Sequence, residues 1–305
     1  MQQLLPLLRL LGYLATSLVL GALLAFPAYL AFDPLSEAPF SSVLPRVVVL
    51  TALLLLPLYL QSAGTTDRNA LGFAGSRRAF VSEFASWLGI GMLLAAPLQL
   101  GFLALDIRAV TPFADRSLLD VILFVLYALT ASAFIGLMEE AYFRGALLGS
   151  LRTVAPSLAV LVVGVLYAAA HFLGGPVSSE ELRWSSGPSS IRHSVFHLDS
   201  FLALLGAGVL LGAMRLHFGR IAPGAGMHAG FVTCIKFAQE FTDLNPNSDL
   251  AFLAGSLAGS MGYLGLLWIG VLSGGWFIWS RLWIRRAEAT HKKRSDAAEL
   301  SRDRR

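Results

Sequence analysis

The chain has 305 residues, of which 56% are hydrophobic and only 14% charged, with a mean hydropathy of +0.67. Soluble domains carry about a quarter charged residues, so this composition excludes an ordinary soluble enzyme and describes a polytopic membrane protein. The net charge of +4 and the pI near 9.5 come largely from the C-terminal tail, which argues for anionic lipid and against nucleic acid as a partner.

Apolar runs follow one another from Leu8 to Phe32, Val47 to Gln61, Phe80 to Leu105, and Leu118 to Met138 continuing through Tyr142 and Phe143. They continue from Leu158 to Leu173, Phe201 to Leu216, Ala222 to Phe237, and Leu250 to Trp279. A bilayer core takes about 20 apolar residues per helix, so the expectation is an all-α bundle of about eight transmembrane helices. The first run is too long for a secretory signal, contains Pro27 and lacks a clean cleavage site, so it reads as a helix. We divide one integrated membrane domain into N-terminal helices (1–117), a central core (118–241), and a last helix with its basic tail (242–305). No soluble second domain, low-complexity linker or internal repeat stands out. The single cysteine, Cys234, excludes an internal disulfide framework.

Loop charge gives an orientation. Arg68, Arg77 and Arg78, then Arg144 and Arg152, then Arg215 and Arg220, and finally the tail from Arg281 through Lys292, Lys293, Arg294 and Arg305 are basic. The intervening segments, Asp33 to Arg46, Asp106 to Arg116, Gly174 to His197 and Thr242 to Asp249, are poorer in Lys and Arg. With eight helices all basic segments fall on one side, expected to be cytoplasmic and to hold both termini.

Against this background Glu139 and Glu140 stand out, at the end of the fourth run and followed by Arg144. A charged side chain near a bilayer centre costs about 2.5–3.5 kcal/mol even on the lenient insertion scale, which makes an intramembrane acid a functional candidate. Glu140 and Arg144, four residues apart, share a helical face, whereas Glu139 is turned about 100° away. One acid is thus expected to be held by the arginine while the other faces a cavity. The fifth run carries Tyr167 and His171 at the same i, i+4 spacing across three alanines. The seventh carries His228 within Gly224-Ala225-Gly226-Met227-His228-Ala229-Gly230. Taken singly, each has a plain structural reading: an interfacial ion pair, a hydrogen bond between helices, or a histidine satisfying a freed carbonyl. Together, on three helices, they describe a site in the core of a bundle.

The order Glu-Glu-x-x-x-Arg, then Tyr-x-x-x-His, then a glycine-rich lead with Gly208, Gly212, Arg215, Gly219 and Ile221-Ala222-Pro223 into His228, resembles the CAAX protease and bacteriocin-processing family (CPBP, or ABI) of intramembrane proteases. The resemblance covers roughly Leu118 to Phe241. It implies peptide-bond hydrolysis in or near the membrane, with Glu139 activating water, His171 positioning it and His228 stabilising the oxyanion. Glu140 and Arg144 would hold the helix and the first acid, and Tyr167 would support the histidines. Two positions depart from the family pattern: Tyr167 stands where Phe is common, and Val232 where Asn often follows the last histidine by four residues. Thr233 and Lys236 lie close to Val232 in sequence but are not expected to replace that amide.

Glu139, His171 and His228 are also candidate ligands for a divalent metal such as zinc, but the chain lacks a His-Glu-x-x-His helix, and metal-free, glutamate-activated water is the expectation. The resemblance implies a membrane-anchored protein or hydrophobic peptide as substrate, and the Ala-, Leu- and Arg-rich composition leads us to expect a bacterial plasma membrane. A second class uses the same buried groups: a proton- or ion-coupled transporter, or a catalytically silent immunity or scaffold protein. Lys236 and Glu240 are expected to pair along their helix, and His193 and His197 to sit in a solvated loop bordering the entrance.

Overall fold

The computed structural model describes residues 4–36, 39–111, 116–174, 183–192, 196–255 and 259–302, with side chains described at all of these except 32–36, 192 and 283–302. The elements are α1 (Leu4–Ser36), α2 (Phe40–Ser62), α3 (Arg77–Ala104), β1 (Arg108–Val110) and α4 (Leu118–Glu140). A π-helix (Ala141–Leu147) and one α-turn, α5 (Leu148–Ser150), extend α4, and α6 (Pro156–Ala170), α7 (Ser186–Arg192), α8 (Leu198–Phe218) and α9 (Ala222–Phe241) follow. The chain then runs through β2 (Thr242–Leu244), a 3-10 turn (Ala251–Leu253) and α10 (Tyr263–Arg302). Among the described residues the only sheet is the antiparallel pair β1–β2, and the architecture is an all-α bundle.

Among the described residues six helices are long and apolar enough to cross a membrane, where about eight were expected; the 15-residue α6 is apolar but shorter, and the 20-residue α9 is not among the six. Leu54, Leu93 and Leu118 are among many large apolar side chains on the outside, an arrangement that only a lipid surround makes favourable. The helix starts follow local chemistry. Ser117 and Asp120 form a reciprocal capping box at α4, Ser76 caps α3 by accepting from the Ala79 N–H at 3.2 Å, and prolines occupy the first turn of α6 and α9. Gly219, at φ 67°, ends α8 in the left-handed conformation that side chains disfavour.

Two boundaries differ from expectation. The last apolar run starts at Leu250 in sequence, but α10 starts at Tyr263. Between them Gly255, at φ +74°, packs its backbone onto Gly262, where an added Cβ would lie 2.5 Å from the Gly262 Cα. The fourth helix is not α-helical throughout: its hydrogen bonding widens to a π-turn directly after Glu140.

The loops sort into two ends. At one, Arg152 donates to the Gly64 carbonyl at 3.2 Å, Arg215 to the Ala70 carbonyl at 2.8 Å, and the Ile221 N–H to the Gly72 carbonyl at 3.0 Å, so the basic segments after α2, α4 and α8 meet. At the other, β1 pairs with β2 and Arg116 pairs with Glu240. Arg108 clamps this second end, donating to Thr242 Oγ1 and the Thr242 carbonyl at 2.6 Å, the Gly259 carbonyl at 3.2 Å and the Ala238 carbonyl at 3.3 Å. Burial lowers the pKa of its guanidinium, and Asp243 opposes the shift. The expected alternation of basic and poor loops thus has a counterpart in which loops touch.

Glycines set the packing of α9. A Cβ at Gly226 would lie 2.3 Å from the Phe84 carbonyl oxygen, one at Gly230 2.4 Å from that of Leu88, and one at Gly136 2.7 Å from that of Ala225. Helix α9 is therefore held at backbone contact with α3 on one side and α4 on another, the close approach that small residues permit in membranes.

Candidate active site

Glu139 and Glu140 are the last residues but one and the last of α4, and Arg144 follows within the π-turn. Glu140 Oε1 accepts from Arg144 Nη1 at 2.6 Å, and the guanidinium also donates from Nη2 to the Gly208 carbonyl of α8 at 3.2 Å. This pair is sealed, with Arg144 0% and Glu140 1% exposed. Gly224 stands against it: a Cβ there would lie 3.2 Å from Glu140 Oε2. The π-turn's end is packed as closely, since Cβ atoms at Gly145 and Gly149 would meet the Leu71 and Ala70 carbonyl oxygens at 2.9 and 2.8 Å. A π-turn adds a residue to the helical ladder and is commonly found at functional sites. Propensity does not distinguish it from α-helix, so it is not legible in the local sequence.

Glu139 has the opposite surroundings. Its side chain is 31% exposed, yet its Oε2 is buried and makes no hydrogen bond. The same oxygen is 3.8 Å from His228 Nε2. Two cavities adjoin at this carboxylate, and both are lined by Glu139 and His171. One, of about 310 Å³, is also lined by Tyr167, His228 and Val232; the other, of about 460 Å³, opens between α1, α2, α4 and α6 and is apolar.

His228 bridges the acids: its Nδ1 is 3.2 Å from Glu140 Oε1 and its Nε2 is 3.4 Å from the Tyr167 hydroxyl. A carboxylate only accepts, so the Nδ1 proton is fixed by Glu140 and Nε2 faces Glu139. His171, where α6 ends, donates from Nδ1 to the Tyr167 carbonyl at 2.8 Å, which leaves its Nε2 as the acceptor in the neutral ring. Tyr167 is the central packing group. Its ring lies 4.5 Å from the Arg144 guanidinium carbon, 4.9 Å from the His171 ring and 6.0 Å from the His228 ring. The cation–π contact is in a dry setting, where it is strongest.

All six candidates, Glu139, Glu140, Arg144, Tyr167, His171 and His228, are thus brought together. Among the described residues no group of three or more His, Cys, Asp or Glu side chains that could hold a metal ion is found. Val232 faces the cavity, whereas Thr233 is buried away and donates to the Ala229 carbonyl at 2.8 Å. The expected Lys236–Glu240 pair is replaced. Glu240 pairs with Arg116, and the Lys236 ammonium lies 5.3 Å from the Tyr127 ring centroid. His197 is the N-terminal flanking residue of α8, and His193 lies outside the described residues. Sequence reasoning also passed over Gln99, which lines the 310 Å³ cavity. A lone amide within the third apolar run was a readable signal.

No curated protein and no solved structure matches the chain. Residues 121–234 match the family model described as Rce1-like, the type II CAAX prenyl endopeptidase Rce1-like family. That span contains all six assembled side chains. Over this core the chain is similar to the type II CAAX prenyl endopeptidase Rce1-like family.

Proposed function

We propose that the protein hydrolyses a peptide bond of a membrane-associated protein or hydrophobic peptide, using water activated by Glu139. The observation that carries this reading is the buried, unbonded Glu139 Oε2 at the meeting point of two cavities, 3.8 Å from His228 Nε2. A carboxylate oxygen left without a donor in an apolar surround is a strong proton acceptor, and a water placed there would have Glu139 on one side and His171 Nε2 on another. Glu139 takes a proton as the water oxygen attacks the scissile carbonyl carbon. The tetrahedral oxyanion is stabilised by His228, which in its doubly protonated form donates from Nε2, with the Tyr167 hydroxyl beside it as a second donor. Glu139 then returns the proton to the leaving nitrogen as the C–N bond breaks, giving a new carboxyl terminus and a free amine.

Glu140 and Arg144 act at one remove. Glu140 fixes the Nδ1 proton of His228, and Arg144, tied to the Gly208 carbonyl and packed on Tyr167, fixes Glu140. With Val232 facing the cavity, the oxyanion donors are an imidazole and a phenol instead of an amide. The route is written without a metal, with Glu139 as the base that activates water. The orientation we infer has both termini and the basic loops in the cytoplasm of a bacterial cell, with Glu139 near the basic end. The basic tail would rest on anionic lipid.

The test is cleavage of membrane-anchored peptides by purified protein. Wild type is expected to release product, and Glu139→Ala and His171→Ala are expected to lose turnover while keeping folded yield. Unchanged turnover in both variants would remove these residues from the mechanism.

A further inference from the structure

The connection between α2 and α3, residues 63–76, lies against the π-turn and the α-turn that follows it. Added Cβ atoms at Gly145 and Gly149 would meet its Leu71 and Ala70 carbonyl oxygens at 2.9 and 2.8 Å, so the two backbones touch. A π-turn departs from the regular i, i+4 ladder and persists where its surroundings over-determine it. The connection supplies such surroundings, and it is itself shaped and tied. Asp67 Oδ2 accepts from the Asn69 and Ala70 N–H groups at 3.0 and 3.2 Å, which closes a local turn. The Gly72 carbonyl accepts from the Ile221 N–H at 3.0 Å, one residue before α9 begins.

Arg215, in the last turn of α8, brings a cation into this contact. Its Nη2 donates to the Ala70 carbonyl at 2.8 Å, the same oxygen that lies over Gly149. Gly72, at φ +84°, leaves the space that the guanidinium fills, since a Cβ there would lie 2.8 Å from Arg215 Nε. Among the described residues no carboxylate pairs with Arg215, and its Nε is buried without an acceptor. The helix dipole favours a cation in this turn, but it does not aim one at Ala70. An unpaired cation at a membrane helix end is costly, and a neutral side chain would fill the same space at less cost.

The face of α8 that carries Arg215 also carries a second tie to the π-turn. Gly208 stands seven residues earlier, two turns or about 10 Å along the same face, and its carbonyl accepts from Arg144 Nη2 at 3.2 Å. The turn is therefore held to α8 directly through Arg144 and, just past its end, through the Ala70 carbonyl. Ile221 stands seven residues before His228, so the same connection also fixes where the helix of that histidine starts.

We propose that Arg215 is a positioning residue of the site: by holding the Ala70 carbonyl against Gly149 it sets the π-turn, and with it the register of Glu139 and Glu140 against His228. Arg215 touches none of the reacting atoms. Its effect on turnover rests on the peptidase reading of Glu139; its effect on the π-turn rests on the packing alone. Without it the connection loses its hold from α8, and the 3.2 and 3.8 Å separations of His228 from the two acids are no longer fixed from this end.

The experiment compares wild type with three variants in detergent. Arg215→Met keeps an apolar stem and removes the donors, Arg215→Lys restores a cationic donor, and Gly149→Ala displaces the same carbonyl from the other side. Hydrogen–deuterium exchange is read over residues 63–76 and 141–150, with the first half of α4 as reference. Arg215→Met is expected to speed exchange in both segments by about tenfold while the reference is unchanged. Its kcat should fall about tenfold to a hundredfold with KM within about twofold, the pattern of lost orientation in place of lost binding. Arg215→Lys should recover most of kcat. Arg215→Met combined with Gly149→Ala should lower kcat by less than the product of the single effects, because both act through one carbonyl. Faster exchange confined to 63–76, a loss that enters as KM, or single effects that simply multiply would overturn the proposal. If Arg215→Met does not fold, Asp67→Ala, at an exposed position, loosens the same carbonyl, and unchanged exchange over 141–150 in that variant overturns it equally. A wild type that cleaves no peptide would remove the peptidase reading and leave the exchange result standing as the test of the π-turn.

Discussion

The two sides of the α4 terminus treat adjacent carboxylates in opposite ways. Against α8 and α9, Glu140 meets Arg144, His228 and a backbone without a Cβ at Gly224, and the Glu140–Arg144 pair is closed to solvent. Glu139 meets two cavities, one lined largely by α3, α8, α9 and α10 and the other by α1, α2 and α6, and its Oε2 accepts no hydrogen bond. The first arrangement satisfies a buried charge and so fixes a shape; the second leaves a carboxylate oxygen without a hydrogen bond beside open space. An acid in a membrane therefore identifies chemistry only once its neighbours are known, and here a 100° step along one helix separates the acid held by Arg144 from the acid we propose as the base.

Breaking the closed side should have the largest effect. Arg144→Ala would leave Glu140 buried without its arginine partner, and is expected to lower stability by about 3–5 kcal/mol, read as a fall in the thermal midpoint in detergent. The double variant Glu140→Leu with Arg144→Met should recover much of that loss while activity stays absent, because the shape returns and the anchor of His228 does not. Next comes the backbone contact beneath the site. Gly136→Ala would drive a methyl to 2.7 Å from the Ala225 carbonyl oxygen, and is expected to cost about 1–3 kcal/mol and to lower turnover by moving His228 relative to Glu139.

These two effects bear on what the sequence could and could not tell. The helices were legible because each apolar run carries its own length and some carry a start signal, such as Ser117 with Asp120 or Pro223 at α9. The division between Glu139 and Glu140 was legible because i, i+4 geometry is local. The π-turn was not, since it follows from how Gly145 and Gly149 meet the Leu71 and Ala70 carbonyls, a contact with another segment. Nor was the fate of Glu240, which an i, i+4 rule pairs with Lys236 but which a residue 124 positions away captures. The last helix begins later than its apolar run because glycines 255 and 262 turn the chain back on itself, and hydropathy does not register that.

Smaller effects sharpen the comparison on the open side. Tyr167→Phe keeps the ring under Arg144 and removes only the hydroxyl near His228 Nε2. Turnover should fall by about tenfold or less with stability nearly unchanged, as expected for a neutral hydrogen bond of about 1 kcal/mol. A fall in midpoint of the size expected for Arg144→Ala would show that Tyr167 belongs to the closed side instead. The smallest effect is none: chelator treatment of the purified protein should leave turnover unchanged, and loss that is restored by zinc would replace carboxylate-activated water with metal-activated water.

The division between the two acids is tested most directly by the isosteric pair Glu139→Gln and Glu140→Gln, with turnover and thermal midpoint measured on the same preparations. Glu139→Gln is predicted to keep the wild-type midpoint and to lose about 10²–10⁴-fold in turnover, the usual contribution of a general base. Glu140→Gln is predicted to lower the midpoint clearly, since Arg144 loses its counterion. Near-wild-type turnover by a folded Glu139→Gln protein would contradict the account.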